Sequence, residues 1–160
     1  MKLIRFGVLA LAAVLTLPAA AQWAAAPTAT DVEILAVRVK TEKKRLVSVA
    51  LQLTDSEASA FWPVYEVYQK DLDAIDGRLA KAIDAYAYAY NCGPVPDETA
   101  ERLLYEFLDI ERDEAELKRT YIVLLAAALP GVKVVRYIQV ESKLRAAVRY
   151  QVALGLPLVQ

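Results

Sequence analysis

The chain has 160 residues, about one domain's worth, and its 57% hydrophobic and 24% charged residues exclude a disordered tail and a multi-span membrane protein. With 19 basic against 20 acidic residues, no global charge draws it to nucleic acid. The complete lack of histidine removes Ser-His and Cys-His nucleophiles, an imidazole base and His-ligated zinc.

Lys2 and Arg5 precede an apolar run from Phe6 to Leu17, and Pro18-Ala19-Ala20-Ala21-Gln22 follows with small residues. That is the pattern of a secretory signal peptide over residues 1–21, cleaved after Ala21. As a helix the apolar run spans only about 18 Å against a hydrocarbon core of about 30 Å, so no membrane anchor is expected after cleavage. The mature chain is expected to be exported and soluble. Cleavage removes Lys2 and Arg5 and leaves 17 basic against 20 acidic side chains. Residues 22–30 show no period and read as a flexible arm, and residues 31–160 as a single helical domain.

Thr30 and Glu33 make a capping box, and Val32, Leu35, Val39, Leu46 and Ala50 recur on one face of a helix over about 31–50. Its polar side carries Arg38, Lys40, Lys43, Lys44 and Arg45, while Ile34 and Val37 lie off the stripe and form a second apolar surface. Thr54 and Glu57 open a second helix, about 55–90, with Phe61, Tyr65, Tyr68, Leu72, Ile75, Leu79, Ala82 and Tyr86 as its packing seam. Pro63 lies inside this pattern and predicts a kink or an offset first turn.

Asn91-Cys92-Gly93-Pro94-Val95-Pro96 is the clearest break. A third helix, about 97–129, follows with Leu103, Leu104, Phe107, Ile110, Leu117, Tyr121, Leu124 and Leu125 at helical spacing. The acids between them, Glu98, Glu101, Glu106, Asp109, Glu111, Asp113, Glu114 and Glu116, read as a solvated face. Val134, Ile138, Leu144, Val148 and Val152 define a fourth helix, about 131–154. Residues 131–160 carry five basic side chains and one acid, which suits this helix to lie against the acidic third one. The fold class is all-α: an elongated, hairpin-like arrangement of four helices, expected to dimerise because Ile34, Val37 and Leu158 need cover that one thin bundle does not supply.

The helix starts repeat at an offset of 42 residues, Leu53-Thr54-Asp55-Ser56-Glu57 against Val95-Pro96-Asp97-Glu98-Thr99. In an exported four-helix chain these segments resemble the Spy/CpxP family of periplasmic proteins with LTxxQ motifs. The first copy keeps Leu53 and Thr54 and carries Glu57 in place of Gln; the second keeps neither Thr nor Gln, and Asp97 is expected to cap in place of Pro96. The resemblance implies a chaperone that works without ATP on unfolded envelope proteins, often a curved antiparallel dimer. The alternative is a regulatory accessory module that docks a sensor protein's periplasmic domain in an envelope stress response.

For Thr54 and Glu57 the first role is plain helix capping. Tyr65, Tyr68 and Tyr86 belong to the seam, whereas Tyr88 faces elsewhere and is, with Ile34 and Val37, the candidate client-binding surface. Glu106, Asp109, Asp113 and Glu116 share a helix face, but without a turn-rich loop or a cleft they define neither a metal site nor an acid–base pair. No enzyme, metal or cofactor is therefore expected. Cys92 reads as a lone thiol rather than an inter-chain bridge, and Leu156-Pro157-Leu158-Val159 as a tail packed back onto the bundle or a dimer mate.

Overall fold

The structure, a computed structural model, describes residues 42–159. Within them the chain is all helical: α1 (42–51), α2 (Asp55–Asn91), α3 (Asp97–Ala128) and α4 (Gly131–Gly155), with no strand among the described residues. The signal segment 1–21, the arm 22–30, the Thr30–Glu33 box, Ile34 and Val37 lie outside the described residues.

Each helix end has a local cause. At the end of α1, Gln52 takes a positive φ of 46° while its N–H donates to Ser48 O at 3.2 Å, a left-handed stop usually given to glycine. Its carbonyl accepts from Lys133 Nζ at 3.0 Å. Thr54 then caps α2: Glu57 N donates to Thr54 Oγ1 at 3.3 Å, and Thr54 N donates to Glu57 Oε2 at 2.8 Å. Lys133 Nζ also reaches Glu57 Oε2 at 2.6 Å, so one lysine of α4 ties the α1–α2 turn to the start of α4. Through that bond, and through Thr54, the Glu57 carboxyl is held below the usual carboxylate range.

α2 continues through Pro63 to Asn91 without interruption and, at 37 residues, is about 55 Å long. Pro63 and Ser59 are exposed, so water can serve the Ser59 carbonyl that proline leaves without a donor. The helix stops at Cys92, and Gly93 at φ 132° supplies a backbone conformation that a residue with a Cβ would adopt only under strain. Asp97 does not cap α3. Pro96, with φ held at −63° and ψ at 143°, already stands in the cap position and accepts from Ala100 N at 2.9 Å, so Asp97 is the first helical residue and contributes its charge to the first turn.

Cross-helix pairs give the topology. Tyr121 meets Asp71 and Arg78 meets Glu106 and Asp113, so α3 runs antiparallel to α2. Arg145 meets Asp76 and Tyr86 meets Pro157, so α4 runs parallel to α2. Lys43 meets Gln69 and Glu141, and Arg136 reaches Ala50 O, which sets α1 antiparallel to both. The chain goes up and down four times around one axis.

The core divides along that axis. At one end Val47 and Leu51 of α1, Phe61, Tyr65, Tyr68 and Leu72 of α2, Tyr121, Leu125 and Leu129 at the end of α3, and Val134 and Tyr137 of α4 form one buried cluster. Toward the 92–96 loop the core is thinner: Ala80 and Ile83 with Leu79, Phe107, Val152 and Leu156, and Ile75 and Ala82 with Ile110.

Several seam positions differ from the sequence reading. Leu104 and Leu124 are exposed, because α3 turns Leu103, Ile110, Tyr121 and Leu125 inward and these two fall outside that row. On α1 the buried row is Lys43, Val47 and Leu51, offset from Leu46, which is exposed. Lys43 moves from the solvated side to the inside because a carboxylate waits there.

Candidate functional site

The acids of α3 are not simply a solvated face. Glu114 follows Ile110 by four residues and precedes Leu117 and Tyr121, so it occupies the inward stripe and is only 4% exposed. There its Oε2 accepts from Arg145 Nη2 at 2.7 Å and Arg149 Nη2 at 2.6 Å, and its Oε1 accepts from Lys118 Nζ at 2.5 Å. Arg145 also grips both oxygens of Asp76, at 3.2 and 2.9 Å, and so joins α2, α3 and α4 in one layer. Burial pushes the Glu114 pKa up, but the bonds and charges of Arg145 and Lys118 outweigh it and hold the carboxyl at about 2. Burial likewise disfavours the Arg145 charge, and Glu114 and Asp76 more than offset that.

One turn away is a second buried pair. Lys43 Nζ donates to Glu141 Oε1 at 2.5 Å and to Gln69 Oε1 at 2.7 Å, while Gln69 Nε2 donates to Tyr137 Oη at 3.2 Å and Glu141 Oε2 at 3.3 Å. Glu141 is fully buried. It is the one acid of residues 131–160 and lies on the stripe that runs from Val134 to Val148. Burial is the main reason that Tyr65, Tyr68 and Tyr137 hold their phenolic protons above the ordinary tyrosine range, and the Glu141 charge acts in the same direction. Tyr68 Oη and Arg145 Nε are buried with no hydrogen-bond partner among the described residues. A third, more open cluster lies between α2 and α3, where Arg78 bridges Glu106 at 3.0 Å and Asp113 at 2.5 Å. The Arg78 and Arg112 bonds hold the Asp113 carboxyl below its usual range.

These layers are structural chemistry. Among the described residues each buried charge is compensated by an opposite one, and no group of three or more Cys, Asp or Glu side chains is placed to hold a metal ion. The sequence reading does not single out Glu141, Glu114 and Arg145, although each falls in register with the apolar positions of its helix.

Family models, curated proteins and solved structures give no match to this chain. Tyr88, on α2, is 75% exposed, and around the same end of the bundle α3 exposes Leu104, Tyr105 and Leu108. Leu53 is half-buried against the aromatic core; Thr54 and Glu57 cap α2 and, with Lys133, anchor α4. Thr54, Glu57 and Asp97 are thus brought to helix starts at opposite ends of α2, not to one site. Cys92 is exposed at the end of α2 with a free thiol. The tail splits: Leu156 packs on the Ala80–Ile83 cluster and Pro157 O accepts from Tyr86 Oη at 2.7 Å, while Leu158 and Val159 are exposed. No described helix is long and apolar enough to cross a membrane.

Proposed function

We propose that this chain is an exported, non-enzymatic helical protein that shields apolar segments of unfolded envelope proteins without ATP, in the manner of the Spy/CpxP-like proteins that its Leu53-Thr54-Asp55-Ser56-Glu57 segment resembles. The observation that carries this reading is the set of large apolar side chains left in solvent beside the 92–96 loop: Tyr88, Leu104, Tyr105 and Leu108, flanked on α3 by Glu101, Arg102, Asp109 and Arg112. Such a surface holds extended apolar chain loosely, since each contact recovers only about 25 cal/mol per Å² of apolar area before ordering costs. An elongated dimer fits the same reading, with long helices carrying more apolar surface than one bundle covers.

The test is suppression of aggregation of an unrelated denatured protein at near-stoichiometric ratios. Wild-type protein is expected to protect, and Tyr88→Ser combined with Leu104→Ser and Tyr105→Ser to protect less at unchanged helicity. No protection by wild type overturns the proposal; a single saturable envelope partner in its place favours the sensor-docking alternative.

A further inference from the structure

The outward face of α4 has a chemistry unlike that of the other long helices. Val132, Val135, Arg136, Lys143, Tyr150 and Leu154 follow one another at steps of three, four and seven residues or their neighbours, so they share a stripe, and all are exposed. The stripe holds no acid. The one carboxylate between 131 and 159, Glu141, points into the bundle and is neutralised by Lys43. Arg136 contacts only the Ala50 carbonyl, at 3.4 Å, and Lys143 has no acidic partner among the described residues. By contrast, α2 exposes Asp55 and Asp84, and α3 exposes Glu98, Glu101 and Glu116. A chain whose formal net charge is only −1 thus carries a ridge whose charged side chains are all cationic and which is otherwise apolar apart from Gln139.

We infer that this ridge is a docking surface for an anionic lipid bilayer. Its charge selects an anionic partner and disfavours a second copy of the same face, which would bring cations against a surface with no acid to receive them. Its shape suits a plane: 25 helical residues make a ridge about 37 Å long, with Arg136 and Lys143 set between Val132 and Val135 toward one end and Tyr150 and Leu154 toward the other. A groove on it, lined by Gly131, Val132, Val135, Arg136 and Gln139, is open to solvent. A bilayer surface meets all of these at once, taking Val132, Val135, Tyr150 and Leu154 at the headgroup boundary and Arg136 and Lys143 on lipid phosphates. The proposal is independent of client holding, which uses α2 and α3 beside the 92–96 loop.

The experiment is co-sedimentation of the full chain with vesicles of phosphatidylcholine alone and of phosphatidylcholine in which about one lipid in three is phosphatidylglycerol. Wild type is expected to prefer the anionic vesicles about 25-fold at low salt, two cations contributing a factor of about five each. Arg136→Glu with Lys143→Glu is expected to lose that preference, whereas Lys70→Glu with Lys81→Glu on α2, an equal change of charge, retains it. All of these proteins share residues 1–41, so the differences read α4 alone. If the double reversal fails to fold by circular dichroism, Lys143→Gln with Arg136→Gln replaces it and is expected to lose most of the preference. Equal binding to both vesicles, an unchanged preference in the α4 variants, or an equal loss in the α2 variant overturns the proposal. So does α4-dependent binding to polyglutamate in the absence of vesicle binding, which would assign the ridge to an acidic protein partner.

Discussion

The two ends of the bundle solve the same packing problem with different materials. Beside the α1–α2 turn, four helices close around large rings: Phe61 stacks edge-on against Tyr137 with ring centroids 5.2 Å apart, and Tyr68 against Tyr121 at the same distance. Beside the 92–96 loop, Ala80, Ala82 and Ala87 bring the helices together on small side chains around Ile83 and Leu103, while Tyr88 and Tyr105 point outward. Between the two lies the charged layer of Glu114, Arg145 and Asp76. Both ends leave large apolar side chains in solvent, Val49, Val67, Val123 and Val132 at the first and Tyr88, Leu104 and Tyr105 at the second, so the contrast lies in what fills the core.

The strongest way to break that contrast is to strip the buried pair that fastens α1. Glu141→Leu leaves the Lys43 ammonium buried and uncompensated, and urea unfolding is expected to show a loss of about 3–5 kcal/mol. Adding Lys43→Met removes the stranded charge and is expected to restore most of that loss; a double variant as unstable as the single one would place the energy elsewhere.

Acid should act on the middle layer. The Glu114 pKa is lowered from 4.5 to about 2 in the folded chain, so its contribution is fully present above about pH 4.5 and is lost as pH falls through about 2. The depression corresponds to about 3 kcal/mol at most, read as a fall in unfolding free energy between these pH values. Glu114→Gln should flatten that part of the profile; an unaltered acid limb would assign the acid sensitivity to other carboxylates.

The smallest effects sharpen the comparison. Tyr86→Phe removes the bond to Pro157 O and is expected to cost about 1 kcal/mol, seen as faster amide exchange in the last turn of α4. Tyr68→Phe, although in the densest part of the core, removes a hydroxyl without a partner and is expected to leave stability unchanged or slightly higher. A cost at Tyr68 equal to that at Tyr86 would show that the two hydroxyls are equally well bonded.

Local sequence determined the helix starts and stops between Leu53 and Gly131, because capping, Pro96, Pro130 and the positive φ of Gly93 act within a few residues of themselves. It also determined the inward row of α2 from Phe61 to Tyr86, since a 3.6-residue period needs no knowledge of the partner helix. Tertiary structure alone decided which charges go inside. Lys43, Glu114 and Glu141 look like solvated residues until helices distant in sequence bring Gln69, Arg145 and each other within bonding distance, and only then does burial become cheaper than exposure of the apolar neighbours. The same holds for Leu104 and Leu124: helical spacing marks them as apolar, but which side of α3 faces α2 is set by packing between helices, a long-range fact that local periodicity does not contain.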